Sequence, residues 1–152
     1  MLLIRSFRPL VVTVACATML QVAAQGTLAV ELSLPRHGNG PVMVAVCPDA
    51  ASFTTDQGCI QRMEKAVRPV TTVRFQGLPA GRYAVKAFLD LNGNATLDHG
   101  DLGLPVEPVG FSNDVLGKPS AVLFGKAAVA VPAAGAVLRL RLRGRPPATP
   151  AR

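Results

Sequence analysis

Gly77-Leu78-Pro79-Ala80-Gly81-Arg82-Tyr83-Ala84-Val85 runs from a turn straight into a strand, and its reading decides the fold. Pro79 fixes its own φ and Gly81 can take a positive one, so the chain turns tightly here for a mechanical reason. Past the turn the residues alternate, with Tyr83, Val85 and Ala87 on one face and Ala84, Lys86 and Phe88 on the other. Period two over so short a run is the pattern of a β-strand. Immediately downstream, Asp90-Leu91-Asn92-Gly93-Asn94-Ala95-Thr96-Leu97-Asp98-His99-Gly100-Asp101 concentrates oxygen-bearing side chains, and Gly103-Leu104-Pro105-Val106-Glu107 follows.

Upstream, residues 27–34 alternate and stop at Pro35, His37-Gly38-Asn39-Gly40 is turn material, and residues 41–47 form a short β-branched run. The two runs read as a hairpin. Residues 48–65 read as a loop with at most one helical turn near residues 60–65. Residues 67–75 resume alternation, with Val70, Thr72 or Val73, and Phe75 as candidates for the buried face. Pro69 lacks an amide hydrogen and belongs at an edge or a strand start. Downstream, residues 104–120 read as a long loop, and two further strands are expected over residues 121–131 and 137–143. About seven short strands separated by turn signals argue for a single all-β sandwich. With no Trp and 5% aromatic residues its core is thin.

The ends read differently. Arg5 and Arg8 precede an apolar run over residues 10–20, and Val22-Ala23-Ala24 fits a small-residue cleavage pattern, so residues 1–24 are expected to be a secretory signal peptide. The run is too short for a membrane span, and acylation at Cys16 is the minor alternative. Residues 145–152 (RPPATPAR) are too rich in proline to bury an ordered face. The domain is therefore placed at residues 25–144.

Loss of Arg5 and Arg8 takes the formal charge from +7 to +5. Of the remaining cations, Arg139, Arg141 and Arg143 alternate with Leu138, Leu140 and Leu142, which reads as a strand with one wet face rather than as a nucleic-acid surface. Processing leaves two cysteines, Cys47 and Cys59, expected to be disulfide-bonded in an oxidising compartment and to gain about 3 kcal/mol from the short closed loop.

At GLPAGRYAVKAFLDLNGNATLDHGDLGLPVEPVGFSN the chain resembles the DUF2141 family of exported bacterial proteins of unknown function. Gly77, Leu78, Pro79, Gly81, Tyr83, Ala84 and Val85 match its turn and strand. Asp90, Asn92, Gly93, Asn94, Leu97 and Asp98 match its loop, and Gly103, Pro105, Glu107, Gly110, Phe111, Ser112 and Asn113 match its third segment. The chain departs from the pattern at Ala95, where glycine is usual, and at Pro108 and Val109. The turn is also similar to that of transthyretin-like and carboxypeptidase-regulatory-like sandwiches, in which the tyrosine caps a corner. The resemblance implies an immunoglobulin-like or transthyretin-like sandwich and an exported address, and it implies no activity.

Counted from Asp90, the oxygen-bearing positions Asp90, Asn92, Asn94, Thr96, Asp98 and Asp101 fall at 1, 3, 5, 7, 9 and 12, the spacing of a calcium loop of the EF-hand type. The preceding strand, Ala95 at the sixth position and an aspartate at the twelfth depart from that type. The competing reading is a turn in which Asp90, Asn92 and Asn94 bond their own backbone. Glu107 could approach the site across the following loop, but the preferred reading is a surface carboxylate. No nucleophile elbow or His-paired thiol is present, and no second cofactor is indicated.

The chain is therefore expected to be a periplasmic or secreted, non-catalytic module that binds a ligand or an envelope partner. Calcium is the candidate occupant of the loop, and no membrane span is expected after processing. The alternative is a secreted hydrolase using Asp90, Asp98 or His99.

Overall fold

The computed structural model describes residues 25–100, 102–115 and 124–144. The expected signal peptide, the proline-rich tail, Asp101 and Ser120 lie outside them. The described chain runs β1 (Gln25–Ser33), β2 (Pro41–Cys47), α1 (Ala50–Thr55), β3 (Ile60–Lys65), β4 (Val70–Pro79), β5 (Gly81–Leu89) and β6 (Val109–Phe111). A 3-10 turn (Ser112–Asp114), α2 (Phe124–Ala127), β7 (Val129–Val131) and β8 (Ala136–Arg141) complete it. One sheet has the order β4-β1-β8 and the other β3-β2-β5-β6, with β7 also pairing β5. This is an all-β sandwich with eight strands among the described residues, one more than expected.

The core lies between the sheets. Leu28, Val30 and Leu32 of β1 and Val73, Phe75 and Leu78 of β4 face Val42, Val44 and Val46 of β2 and Val85, Ala87 and Leu89 of β5. Strict alternation would leave Leu78 outside, because Phe75 is buried and Gln76 and Gly77 are both exposed. The register between β1 and β4 slips between Gly26 and Leu28, and Gly77 takes φ +73° at that slip. This bulge resets the parity and turns Leu78 inward. The positive φ expected of Gly81 thus falls on Gly77.

The turn at residues 79–81 carries the chain from one sheet to the other, since β4 and β5 belong to different sheets. Tyr83 Oη donates to the Pro79 carbonyl at 2.9 Å and closes the corner expected from the sequence. Alternation on β8 also holds, with Leu140 and Leu142 buried and Arg139, Arg141 and Arg143 exposed.

Several expectations fail, each for a reason in three dimensions. β1 and β2 are no hairpin: β1 pairs β4 and β8, whereas β2 pairs β3 and β5. Both runs are apolar enough for a central strand, and the seven residues between them cross between sheets rather than reverse within one. Residues 60–65 form β3, whose six residues are all exposed, so no periodic apolar signal marked it. Residues 104–120 hold β6 and the 3-10 turn, and the expected strand over 121–131 contains α2 before β7. On β4, Val70 and Thr72 are exposed and Thr71 is buried instead.

A second small core covers the outer face of the larger sheet at one end. Ala45, Cys47 and Ala84 meet Phe53 of α1 and Ala127 of α2. Cys47 and Cys59 are joined in a disulfide with a Cα separation of 4.3 Å, which staples the α1 excursion back to β2. Asp49 caps α1 through Ser52 N at 2.8 Å, and Ser52 returns the bond to Asp49 N.

Candidate functional site: the oxygen-rich loop and an adjacent groove

The loop after β5 is held from inside. Asp90 is fully buried, and its backbone N–H donates to the Pro41 carbonyl at 2.9 Å. Gly40 makes that approach possible: a Cβ there would lie 1.7 Å from the Asp90 carbonyl oxygen. One carboxylate oxygen of Asp90 accepts from Gly93 N at 2.7 Å and Asn94 N at 3.2 Å, the other from Ala95 N at 2.8 Å. Ala95 stands at φ +60°, the left-handed conformation for which the family pattern has glycine. Alanine pays for it in strain while leaving the turn intact.

Glu107 is 2% exposed and not a surface carboxylate. Residues 98–106 fold back on themselves through Val106 N to Asp98 O at 3.0 Å and Gly100 N to Leu104 O at 2.9 Å. That return brings Glu107 under the loop, where its two oxygens accept from Leu91 N at 2.7 Å and Asp98 N at 3.2 Å. The sequence spacing of 16 residues between Leu91 and Glu107 hid the contact.

The expected ligand residues are partly gathered. Asp98 accepts from Asn92 Nδ2 at 2.6 Å and from Asn94 Nδ2 at 3.1 Å, so these three side chains converge. Their remaining oxygens serve the backbone: Asn92 Oδ1 accepts from Asn94 N at 3.1 Å and Asn94 Oδ1 from Thr96 N at 2.8 Å. Asp90 sits beneath, its carboxylate turned to the three N–H groups. Asp101 lies outside the described residues. This is the self-bonded form of the loop, and among the described residues no group of three or more His, Cys, Asp or Glu converges as a metal centre. Neither Asp90 nor Glu107 has an ion pair among the described residues. His99 is exposed and bridges Pro105.

The outer wall of this loop borders a groove of about 300 Å³ on the larger sheet. Ala95, Thr96 and Leu97 form one side, Met43, Phe88 and Val109 the floor, and Lys86, Asp56 and Gln61 the far end. Register explains the floor. Met63 of β3 is opposite Met43 of β2, Met43 opposite Phe88 of β5, and Phe88 opposite Val109 of β6. Four apolar side chains therefore cross the sheet in one row, on the face away from the core. At the far end Lys86 is held by Asp56 at 2.7 Å and the Phe53 carbonyl at 2.6 Å. Sequence reasoning missed this groove. Phe88 was legible on the face opposite Tyr83, Val85 and Ala87, but the continuous apolar run of residues 41–47 marked no face for Met43, and only the strand order puts the two side by side.

Comparison with known proteins gives one family: the model described as an uncharacterized protein conserved in bacteria (DUF2141) matches residues 30–137. No curated protein and no solved structure matches the chain.

Proposed function

The chain belongs to the DUF2141 family, and from that premise we propose that it is an exported, non-catalytic binding module whose site is the groove beside the oxygen-rich loop. The observation that carries this reading is the row of Met43, Phe88 and Val109, half-buried yet covered by no element among the described residues. Apolar floors with a few polar groups at the rim suit a small apolar or amphipathic group, and Met43 in that floor adapts to shape. A rigid sheet supplies the floor and a loop the wall, the usual division between scaffold and contact surface.

Calcium is proposed as the stabiliser of that wall. Asp90, Asn92, Asn94, Thr96 and Asp98 keep the spacing for it, and three carboxylates lie in or under the loop without an ion pair among the described residues. Binding would require Asp98 to exchange the Asn92 and Asn94 NH2 donors for the cation, and the Asn92 and Asn94 Oδ1 atoms to turn from their backbone donors toward it, at the millimolar affinity of extracellular modules. The disulfide supports an oxidising compartment, periplasmic or extracellular. The hydrolase alternative draws no support from Asp90, whose carboxylate is committed to three backbone N–H groups.

The groove is tested with 1-anilinonaphthalene-8-sulfonate as a generic apolar probe, titrated into the mature protein and followed by fluorescence and amide chemical shifts. Shifts should centre on Met43, Phe88 and Leu97, and Phe88→Asp should weaken binding about tenfold or more. Probe binding unaffected by Phe88→Asp would reject the groove. For the metal, Asp98→Ala should abolish any rise in melting temperature with calcium over chelator. A wild-type protein whose melting temperature is unchanged at several millimolar calcium would reject the cation.

A further inference from the structure

We propose that two copies of this chain pair through β3, joining their larger sheets edge to edge about a two-fold axis at Met63. β3 is the outer strand of its sheet, pairing only β2 among the described residues, and all six of its residues are exposed. An edge of this kind offers unpaired backbone groups to a second strand. Its exposed apolar residues, Ile60 at 46% and Met63 at 59%, are not those of a fully guarded edge.

Symmetry and charge select the register. An antiparallel pair of identical strands, related by an axis perpendicular to the sheet, must have a residue opposite its own copy. Centred on Arg62 the pairing sets Arg62 against itself, and centred on Glu64 it sets Glu64 against itself, both like-charge contacts directly opposite. Centred on Gln61 it sets Ile60 against Arg62. Centred on Met63 it sets Arg62 against Glu64 twice, Gln61 against Lys65, and Met63 against Met63. This register alone turns the two charges nearest the axis into attractions. It also continues the apolar row, since Met63 is already the end of the line Met63, Met43, Phe88, Val109. In the dimer that line would run unbroken across both sheets, with a groove in each copy.

The occupant is thus a second copy of the chain, and the pairing stands independently of what the groove binds. Sedimentation equilibrium of the mature protein over a wide concentration range at low salt should show a monomer–dimer equilibrium. Arg62→Glu and Glu64→Arg should each weaken the dimer about tenfold or more, because two attractions become two repulsions. The combined Arg62→Glu/Glu64→Arg variant should recover dimerisation. Arg62 also sits over the Phe75 ring at 5.8 Å, so Glu64→Arg serves as the reading free of that contact. A wild-type chain that stays monomeric at millimolar concentration would overturn the proposal, as would single reversals that leave a dimer untouched or a double reversal that fails to restore it.

Discussion

Replacing Asp90 tests whether the loop is built around a buried carboxylate, and the test needs no metal. Two of its three bonds are short, 2.7 Å to Gly93 N and 2.8 Å to Ala95 N. Hydrogen bonds to an ionised acceptor contribute about 1.5–3 kcal/mol each. Gly93, Asn94 and Ala95 are exposed, so their released N–H groups can reach water, and Asn94 N keeps its bond to Asn92. The low end of the range therefore applies, and Asp90→Ala should cost about 3 kcal/mol. For a domain of this size that is a fall of roughly 12 °C in melting temperature. Asp90→Asn is the sharper variant. Its amide oxygen can still accept from Gly93, but its NH2 would face the Ala95 N–H donor to donor, so an isosteric side chain should be nearly as damaging as alanine. The assay is urea unfolding followed by circular dichroism in the presence of a chelator, with amide hydrogen exchange as the local readout. Protection at Gly93 and Ala95 should be present in the wild type and lost in both variants. An Asp90→Asn protein within about 0.5 kcal/mol of wild type, the ordinary range for an uninvolved surface position, would refute the reasoning.

Reducing the disulfide, or replacing Cys47 and Cys59 together by alanine, should cost about 3 kcal/mol in the same unfolding assay, from the short loop it closes. Tyr83→Phe removes one partly buried bond to the Pro79 carbonyl and should cost about 1 kcal/mol; a neutral result would mean that the bulge at Gly77, not the tyrosine, fixes the corner. The backbone and hydroxyl hydrogen bonds from Ser52 hold the Asp49 carboxyl below its ordinary range. Its cap therefore stabilises α1 fully above the unfolded pKa, and the contribution is lost as pH falls through the lower folded value. Wild type should exceed Asp49→Asn in stability by a constant margin above the usual aspartate range, and that margin, measured by denaturant titration at each pH, should shrink as pH falls through the lower folded value.

What the sequence disclosed and what it withheld follow from how far each signal reaches along the chain. The turn from Gly77 to Tyr83 is local: proline and glycine fix the backbone, and the tyrosine finds its acceptor four residues back. The strand faces on β5 and β8 are local too, because side chains alternate whatever the neighbouring strand is. The oxygen-rich loop was legible as a composition, and Asp90, Asn92 and Asn94 do bond the backbone within five residues. Glu107 was not, since its two partners lie 16 and 9 residues away and meet it only after the chain folds back through residues 98–106. β3 carries no apolar period, as a strand exposed along its whole length buries nothing that would impose one. The groove lies furthest from the sequence. Met63, Met43, Phe88 and Val109 sit on four strands separated by loops, and a one-residue slip in any pairing would send one of them to the other face. The register of the two central strands is enforced by their inward residues, Val44 and Val46 on β2 and Val85 and Leu89 on β5, which are fully or almost fully buried. The core thus determines the order of the outer row without touching it, and so the surface most available for binding is specified by residues that never face it.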